Sequence, residues 1–323
     1  MIPLHETEFD FTEINDKMIG AGILPVAVDN NGNIRMLMGK ERYINHWRGS
    51  LKWSGFEGGR KSGEDIETTA AREFAEESIG VVPVGGEAAS VDSVRQFLLS
   101  RNYIARIVLC IAHGNDCERR YHVTYLVQVP YDERCALMFS ERRRSVVELQ
   151  TKVHLFQRIS QQLGAHASAT PLPLEGQLHE GTRVETVKRA DVLDTVLVIE
   201  YMDEKNKSHV HEFLNIAAET IDLYVRWMNA RAAMRNACDK VSILNIDILT
   251  ISRDKEGLIR NVVVNDDFIE KQQVQWWTLA ELQTVLKNGG HFDAEVFRAY
   301  FLPVLQRAVQ ELYAISQNHL QNA

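Results

Sequence analysis

The chain has 323 residues, 45% of them hydrophobic and 25% charged, a globular balance with length enough for two domains or for one domain carrying a large insertion. Its 36 Lys and Arg stand against 44 Asp and Glu, a formal net charge of −8, which disfavours a wholesale polyanion binder because such proteins work through a basic field. Cys110, Cys117, Cys135 and Cys238 form no CxxC pair and lack accompanying histidine spacing, which argues against a zinc site or a dense disulfide framework and for a reducing compartment. The first eleven positions include acidic residues where a secretory signal needs a basic flank and a continuous apolar stretch, and no apolar run approaches the roughly 18 residues of a membrane span. The expectation is a cytoplasmic protein with no membrane partner.

In chain order, Ile19 to Val28 and Ile34 to Met38 flank the turn residues Asp29-Asn30-Asn31-Gly32-Asn33 and predict a β-hairpin. A glycine-rich stretch from Gly55 to Gly63 reads as a loop, and Glu64 to Ile79, uninterrupted by Gly or Pro, reads as a helix. Tyr103 to His113 and Arg119 to Val129 predict two more strands, joined by Gly114-Asn115-Asp116. Tyr131 to about Leu163 is helical in pattern, and Gly164 to Gly181 forms a connector. Thr195 to Tyr201 predicts a strand, His209 to about Ala237 a long helix, and Ile243 to Ile251 with Leu258 to Val264 a hairpin around Asp254 to Gly257. After Trp276-Trp277, Thr278 and Glu281 make a capping box at a helix start, and a final helix is expected from about Asp293 to Ser316.

The segment that carries chemistry is Gly58, five residues, Glu64, seven residues, then Arg72-Glu73-Phe74-Ala75-Glu76-Glu77. On a helix Glu73, Glu76 and Glu77 stand at i, i+3 and i+4 and share one face. Like charges so placed repel unless solvent or a cation relieves them. Hard divalent ions such as Mg²⁺ take oxygen ligands and bridge carboxylates to substrate phosphates, so the pattern points to a diphosphate-handling metal site. The glycines let backbone approach a substrate closely, and Arg72 can pair with a carboxylate to fix its rotamer.

These residues resemble the Nudix box, GX5EX7REUXEEXGU with U a bulky apolar residue, matched from Gly58 through Glu77. The box expects glycine one position earlier than Gly80, so the loop after the helix departs from the pattern. The resemblance implies an α/β fold: an α/β/α sandwich with a mixed sheet, whose box helix binds Mg²⁺ or Mn²⁺ for hydrolysis of a nucleoside diphosphate linked to another group. By position it implies Glu73, Glu76 and Glu77 as metal ligands, Glu76, Glu77 and Arg72 as the catalytic set, and Gly58 and Gly59 on the substrate side. The general base stays open among Glu77, Glu133 and Glu270. Residues 19–40 and 119–129 look like strands of that fold, and Trp276 to Leu282 like its last strand and closing helix. That last segment lies far beyond the box, so the expected organisation is residues 1–130 and 241–323 as two parts of one Nudix domain, interrupted by a large, mainly helical insertion at 131–240.

For substrate, Arg142, Arg143 and Arg144, with Lys152 and Arg158 further along and Arg95, Arg101, Arg106, Arg119 and Arg120 before them, suggest a stripe that tracks phosphates, against the alternative that they are solvated or paired. Trp47, Trp53, Trp276 and Trp277 offer stacking surfaces or core packing. A large helical addition with basic segments is similar to the mRNA-decapping Nudix hydrolases, including those of large DNA viruses, and implies capped RNA as partner and methylated GDP as product. Hydrolysis of small nucleotides or diphosphoinositol polyphosphates, and a non-catalytic RNA- or protein-binding scaffold, are the other readings.

Overall fold

The computed structural model describes residues 2–4, 11–86, 90–113, 118–167, 183–189, 192–202, 208–213, 218–242, 249–253, 259–287, 291–292 and 295–321. The chain divides into two compact units, one gathering Met1–Val146 and Asp266–Ala323, the other Val147–Ile243 and Leu249–Asn265. The elements are β1 (Ile2–Leu4), α1 (Phe11–Lys17), β2 (Met18–Val28), β3 (Ile34–Glu41), β4 (Trp53–Ser54), β5 (Phe56–Gly59), α2 (Ile66–Ser78), α3 (Val91–Leu99), β6 (Ala105–His113), β7 (Glu118–Gln128) and α4 (Cys135–Ala167). There follow β8 (Arg183–Arg189), β9 (Val192–Met202), β10 (Ser208–Phe213), α5 (Ala218–Ser242), β11 (Leu249–Arg253) and β12 (Ile259–Val264). The chain closes with β13 (Lys271–Thr278), α6 (Leu279–Thr284), β14 (Leu286–Lys287), β15 (His291–Phe292) and α7 (Leu302–Gln321).

The first unit is built on a mixed sheet of order β1-β6-β7-β2-β3-β13, in which β2 and β7 run parallel and the other pairs are antiparallel. The central strand β2 changes partner along its length: Gly20 to Ile23 pair with β5, while Val26 to Val28 pair with β3. Pro25 lies at the changeover, where the N–H that proline lacks is least missed. Gly22 makes the β5 pairing possible, because a Cβ there would run into the Glu57 side chain and the Phe56 carbonyl.

Both faces of the sheet are covered. On one, Phe74 of α2 meets Phe56 of β5 edge-to-face at 5.6 Å. On the other, the stripe Val304, Leu305, Ala308, Val309 and Leu312 of α7 packs with Leu24, Val26, Met36, Ile107 and Leu126, spacing that a helix needs to present one apolar face. The architecture is thus α/β with a mixed sheet, as expected.

In the second unit, α5 buries Leu223, Trp227, Ala230, Met234, Ala237 and Val241, a four-three spacing suited to pairing with another helix. Trp227 packs on Phe156 of α4 at 5.8 Å and donates its indole N–H to Ser160 at 2.9 Å. Besides these helices the unit carries the antiparallel sheet β10-β9-β8 and the β11–β12 hairpin.

Several boundaries differ from the sequence reading. His209 to Phe213 belong to a strand, and the helix expected there starts at Ala218. The last helix starts at Leu302, not Asp293, because Pro303 is compatible only with a first turn. Phe56–Gly59, read as loop, is a strand, and α3, capped by Ser90, had no counterpart. The turns expected at 114–116 and 254–257, most of the connector at 168–181, and Cys117 lie outside the described residues. Cys110, Cys135 and Cys238 are free thiols, and among the described residues no helix is long and apolar enough to cross a membrane.

Candidate active site

Helix α2 begins at Asp65, whose carboxylate accepts the Thr68 N–H at 2.7 Å as N-cap. It ends at Ile79, held in the left-handed region at φ 51°, and Gly80 follows at φ 60°. Ile79, at the position where the motif expects glycine, is thus left-handed although it is a buried β-branched residue. Between these ends Arg72, Glu73, Glu76 and Glu77 are all buried.

Arg72 is the hub. Its Nε and Nη2 donate to the two oxygens of Glu64 at 2.7 and 3.0 Å, Nη1 donates to Glu73 Oε1 at 2.7 Å and Glu76 Oε2 at 2.9 Å, and Nη2 also reaches the Gly59 carbonyl at 2.7 Å. Burial works against the charge of Arg72, but Glu64 and Glu73 overcome it and raise its pKa. Burial would raise the Glu64 carboxyl, yet Arg72, the Lys61 N–H and the Thr69 hydroxyl outweigh burial and bring it down to about 2. Glu73 differs: burial above all, with the charges of Glu76 and Glu270, pushes it up to about 7 despite Arg72. Its carboxylate fills the space of the missing Gly58 side chain, since a Cβ there would collide with it. Lys61 reaches Glu76 at 3.4 Å and Asp267 at 3.2 Å.

Glu77 turns the other way. Its Oε2 accepts the Glu57 N–H at 2.8 Å and its Oε1 lies 3.1 Å from Lys271 Nζ. Lys271 also donates to Glu41 and Ser54, and Arg298 donates to Glu41 at 2.8 Å. The Glu57 side chain is fully buried, accepts from Thr124 at 3.2 Å and lies 3.9 Å from His122. Sequence reasoning missed Glu41, Glu57, Lys271 and Arg298. A β-bulge between Lys271 and Gln273 breaks the alternation set by Val274 and Trp276 and turns Lys271 inward, and nothing in the local pattern marks it. Glu73, Glu76 and Glu77 thus share a helix face, but Arg72 and Lys271 draw them to different partners. Among the described residues no three acidic, histidine or cysteine side chains form a ready-made cation cage.

The remaining expected residues are dispersed. Arg142 donates to the Ile79 carbonyl at 2.8 Å, at the C-terminal end of α2 where a cation is favourable, and Arg143 donates to the Lys271 carbonyl at 2.8 Å. Arg144 is exposed. Arg95 is held by Asp65 and Thr68, and Arg106 lies over Tyr125. Trp53 and Trp276 are buried, while Trp47 is partly exposed beneath the Arg298 guanidinium. Of the base candidates, Glu270 is half-buried and its pKa is raised by burial and Asp267, whereas Glu133 is exposed and lines a separate cleft of about 530 Å³ with Tyr131 and Arg134. Gly59 sits in open space beside Arg72.

No protein-family model matches the chain, and no curated protein matches it in sequence. Among solved structures it is similar to a Nudix hydrolase from M. smegmatis, at 17% identity and a TM-score of 0.26, over 36% of this chain and 63% of that one. A C. elegans Ap4A hydrolase is similar at 15% identity and a TM-score of 0.23, over 35% and 67% of the two chains. A MutT/nudix family protein from Enterococcus faecalis covers more, 77% of this chain and 86% of its own, at 7% identity and a TM-score of 0.23.

Proposed function

We propose that this protein is a metal-dependent Nudix-type hydrolase of a pyrophosphate linkage in a nucleoside diphosphate derivative. The observation that carries the reading is the buried α2 cluster, in which Glu64, Glu73 and Glu76 converge on a single guanidinium at the glycine-rich strand β5. Burying so many carboxylates costs a protein stability, and a cluster of this kind is kept where the charge is used.

The residues fit a hard divalent cation. The donors are carboxylate oxygens, and the Glu73 carboxyl, pushed up to about 7 by burial and like charges, lacks full compensation from the protein. Glu73 and Glu76 would hold Mg²⁺ or Mn²⁺, and such an ion supplies Lewis acidity and charge neutralisation at a bridging phosphate. Arg72 fixes both carboxylates, and Gly58 leaves the room in which Glu73 lies. In the reaction a water oxygen bonds to phosphorus, the bond to the bridging oxygen breaks, and the phosphate leaving group takes up a proton. Glu270, half-buried and near enough to raise the Glu73 carboxyl, is the group outside α2 that this reading assigns to accept the proton of the water.

The finer reading, removal of the 5′ cap of mRNA with release of methylated GDP, is supported by the large second unit and by the exposed cations Arg144 and Arg158 of α4. Arg142 and Arg143 support it less, being tied to backbone carbonyls. The test is mass spectrometry of products from capped RNA, dinucleoside polyphosphates, nucleotide sugars and nucleoside triphosphates, with the protein and its Glu76→Gln variant in Mg²⁺ or Mn²⁺. Methylated GDP from capped RNA with the wild type alone establishes decapping. Cleavage confined to small nucleotides removes the RNA reading, and no cleavage of any substrate refutes the hydrolase.

A further inference from the structure

The loop between β3 and β4 carries features that the carboxylate site does not use. Among the described residues, the large apolar side chains left exposed stand singly along the chain except here, where Tyr43, Ile44, Trp47 and Leu51 gather, with Tyr43 66% exposed. Cations are interleaved with them: Arg42 precedes Tyr43, Arg48 follows Trp47, Lys52 follows Leu51, and no acidic residue occurs from 42 to 56. On a chain of net charge −8 this is a local basic and aromatic patch.

The loop is ordered by its own hydrogen bonds. The Ser50 hydroxyl accepts the Ile44 N–H at 2.7 Å and donates to the Ile44 carbonyl, and the N–H groups of Trp47, Ser50 and Lys52 each close a turn on the residue three before. His46 and Leu51 are held in the left-handed region, both at φ 61°, a strain found where the shape of a loop is used. Gly49 leaves the room in which the Trp47 indole lies, for a Cβ there would come 2.5 Å from its Cζ2. The Arg298 guanidinium stands 5.0 Å from the Trp47 ring centre and 4.2 Å from that of Tyr300, and donates to Glu41 at 2.8 Å. Glu41 shares Lys271 with Glu77 of the box helix, and the Arg42 N–H donates to the Glu270 carbonyl at 2.8 Å, so the loop starts beside the carboxylate site.

Two of its cations lack a partner that would explain them. Arg42 Nε is buried without a hydrogen-bond partner, although Arg143 and Glu270 lie close enough to feel its charge, and exposed Arg48 makes no ion pair with any described residue. The core of a protein–protein interface is depleted in charge, whereas exposed rings alternating with cations match a single-stranded nucleic acid, whose bases offer π-faces between phosphates.

We propose that the 42–52 loop is a binding surface for single-stranded RNA, so that the substrate is a pyrophosphate-ended polynucleotide whose strand lies on the loop. Tyr43 and the open part of Trp47 stack on bases, and Arg42 and Arg48 meet phosphates. The inference deepens the mRNA reading above and rests on it for the identity of the strand, but affinity for the strand does not depend on cleavage.

The test is fluorescence anisotropy of an uncapped, 3′-labelled single strand of about twelve RNA nucleotides, titrated with the full chain in metal-free buffer. The wild type is expected to bind, more weakly as salt rises, and Tyr43→Ala to weaken binding by about tenfold. Arg48→Ala is expected to weaken it by about threefold or more and to flatten the slope of log affinity against log salt by about 0.7. Leu99→Ala, which removes an exposed apolar side chain outside the loop, should leave binding unchanged. Tyr43 bonds only Asn45 of its own loop, at 3.4 Å, and Arg48 faces solvent, so both variants should melt as the wild type does. A wild type that binds no RNA overturns the proposal, as does Tyr43→Ala or Arg48→Ala binding like the wild type, or equal affinity for a duplex of the same length, which leaves charge without stacking. A dimer that Tyr43→Ala dissociates, with RNA affinity unchanged, assigns the loop to a second copy instead. Cleavage of nucleotides by a chain that binds no RNA overturns the loop proposal alone, and RNA binding without cleavage of any substrate overturns the hydrolase alone.

Discussion

Replacing Arg72 by Met is the sharpest test of how α2 is held. The guanidinium is 11% exposed and makes five hydrogen bonds, four of them to carboxylate oxygens of Glu64, Glu73 and Glu76. Removing one partner from a buried ion pair costs about 3–5 kcal/mol, because the other charge is left uncompensated. Here three carboxylates lose a shared partner, but Glu64 retains the Lys61 N–H and the Thr69 hydroxyl, and Glu76 retains Lys61, so a value of about 4 kcal/mol is expected. Arg72→Lys keeps the charge but not the planar fork and should cost about 2 kcal/mol. The assay is equilibrium urea unfolding in metal-free buffer followed by tryptophan emission. Trp47, Trp53, Trp276 and Trp277 all lie in the unit that contains α2, so the signal is dominated by that unit. A loss below about 1 kcal/mol for Arg72→Met would refute the claim that the guanidinium compensates buried charge.

Gly58→Ala should force the Glu73 carboxylate aside and weaken Mn²⁺ binding by about tenfold or more with circular dichroism unchanged, whereas Gly59→Ala, with nothing within 4 Å of a new Cβ, should do neither; equal effects of the two would defeat the packing argument. Acid should destabilise the first unit through Glu64 and Asp65, both brought down to about 2 against burial, by Arg72 and by Arg95 respectively. Their folded-state pKa values lie below the unfolded ones, so their contribution is complete above the ordinary carboxyl range and is lost as pH falls through about 2; melting temperatures recorded from pH 6 to 2 that show no decline would contradict this. Arg142→Ala and Arg143→Ala, which strip donors from the Ile79 and Lys271 carbonyls, should each cost about 1–3 kcal/mol in urea unfolding, and exposed Arg144→Ala less than about 0.5. The opposite order would mean that the two half-buried arginines face solvent after all.

Local order along the chain decided much of this molecule. The spacing of Glu73, Glu76 and Glu77 puts them on one helix face wherever the helix packs, and Asp65 and Thr278 cap their helices through hydrogen bonds that span three residues. Arg72 reaches Glu64, Glu73 and Glu76 within the same segment, so the hub of the site was legible from the motif alone. What tertiary structure decided is which partner each carboxylate faces. Lys271 meets Glu41 from 230 residues away, brought there by the β3–β13 register and aimed by a bulge that periodicity does not encode. The basic run at 142–144 divides in the same way: charge is a property of the residues, but half-burial against the ends of α2 and β13 made two of the three arginines backbone partners. Side-chain spacing is set by bonds along the chain, whereas the cation opposite a buried carboxylate is set by which strands come together, and that choice belongs to the folded whole.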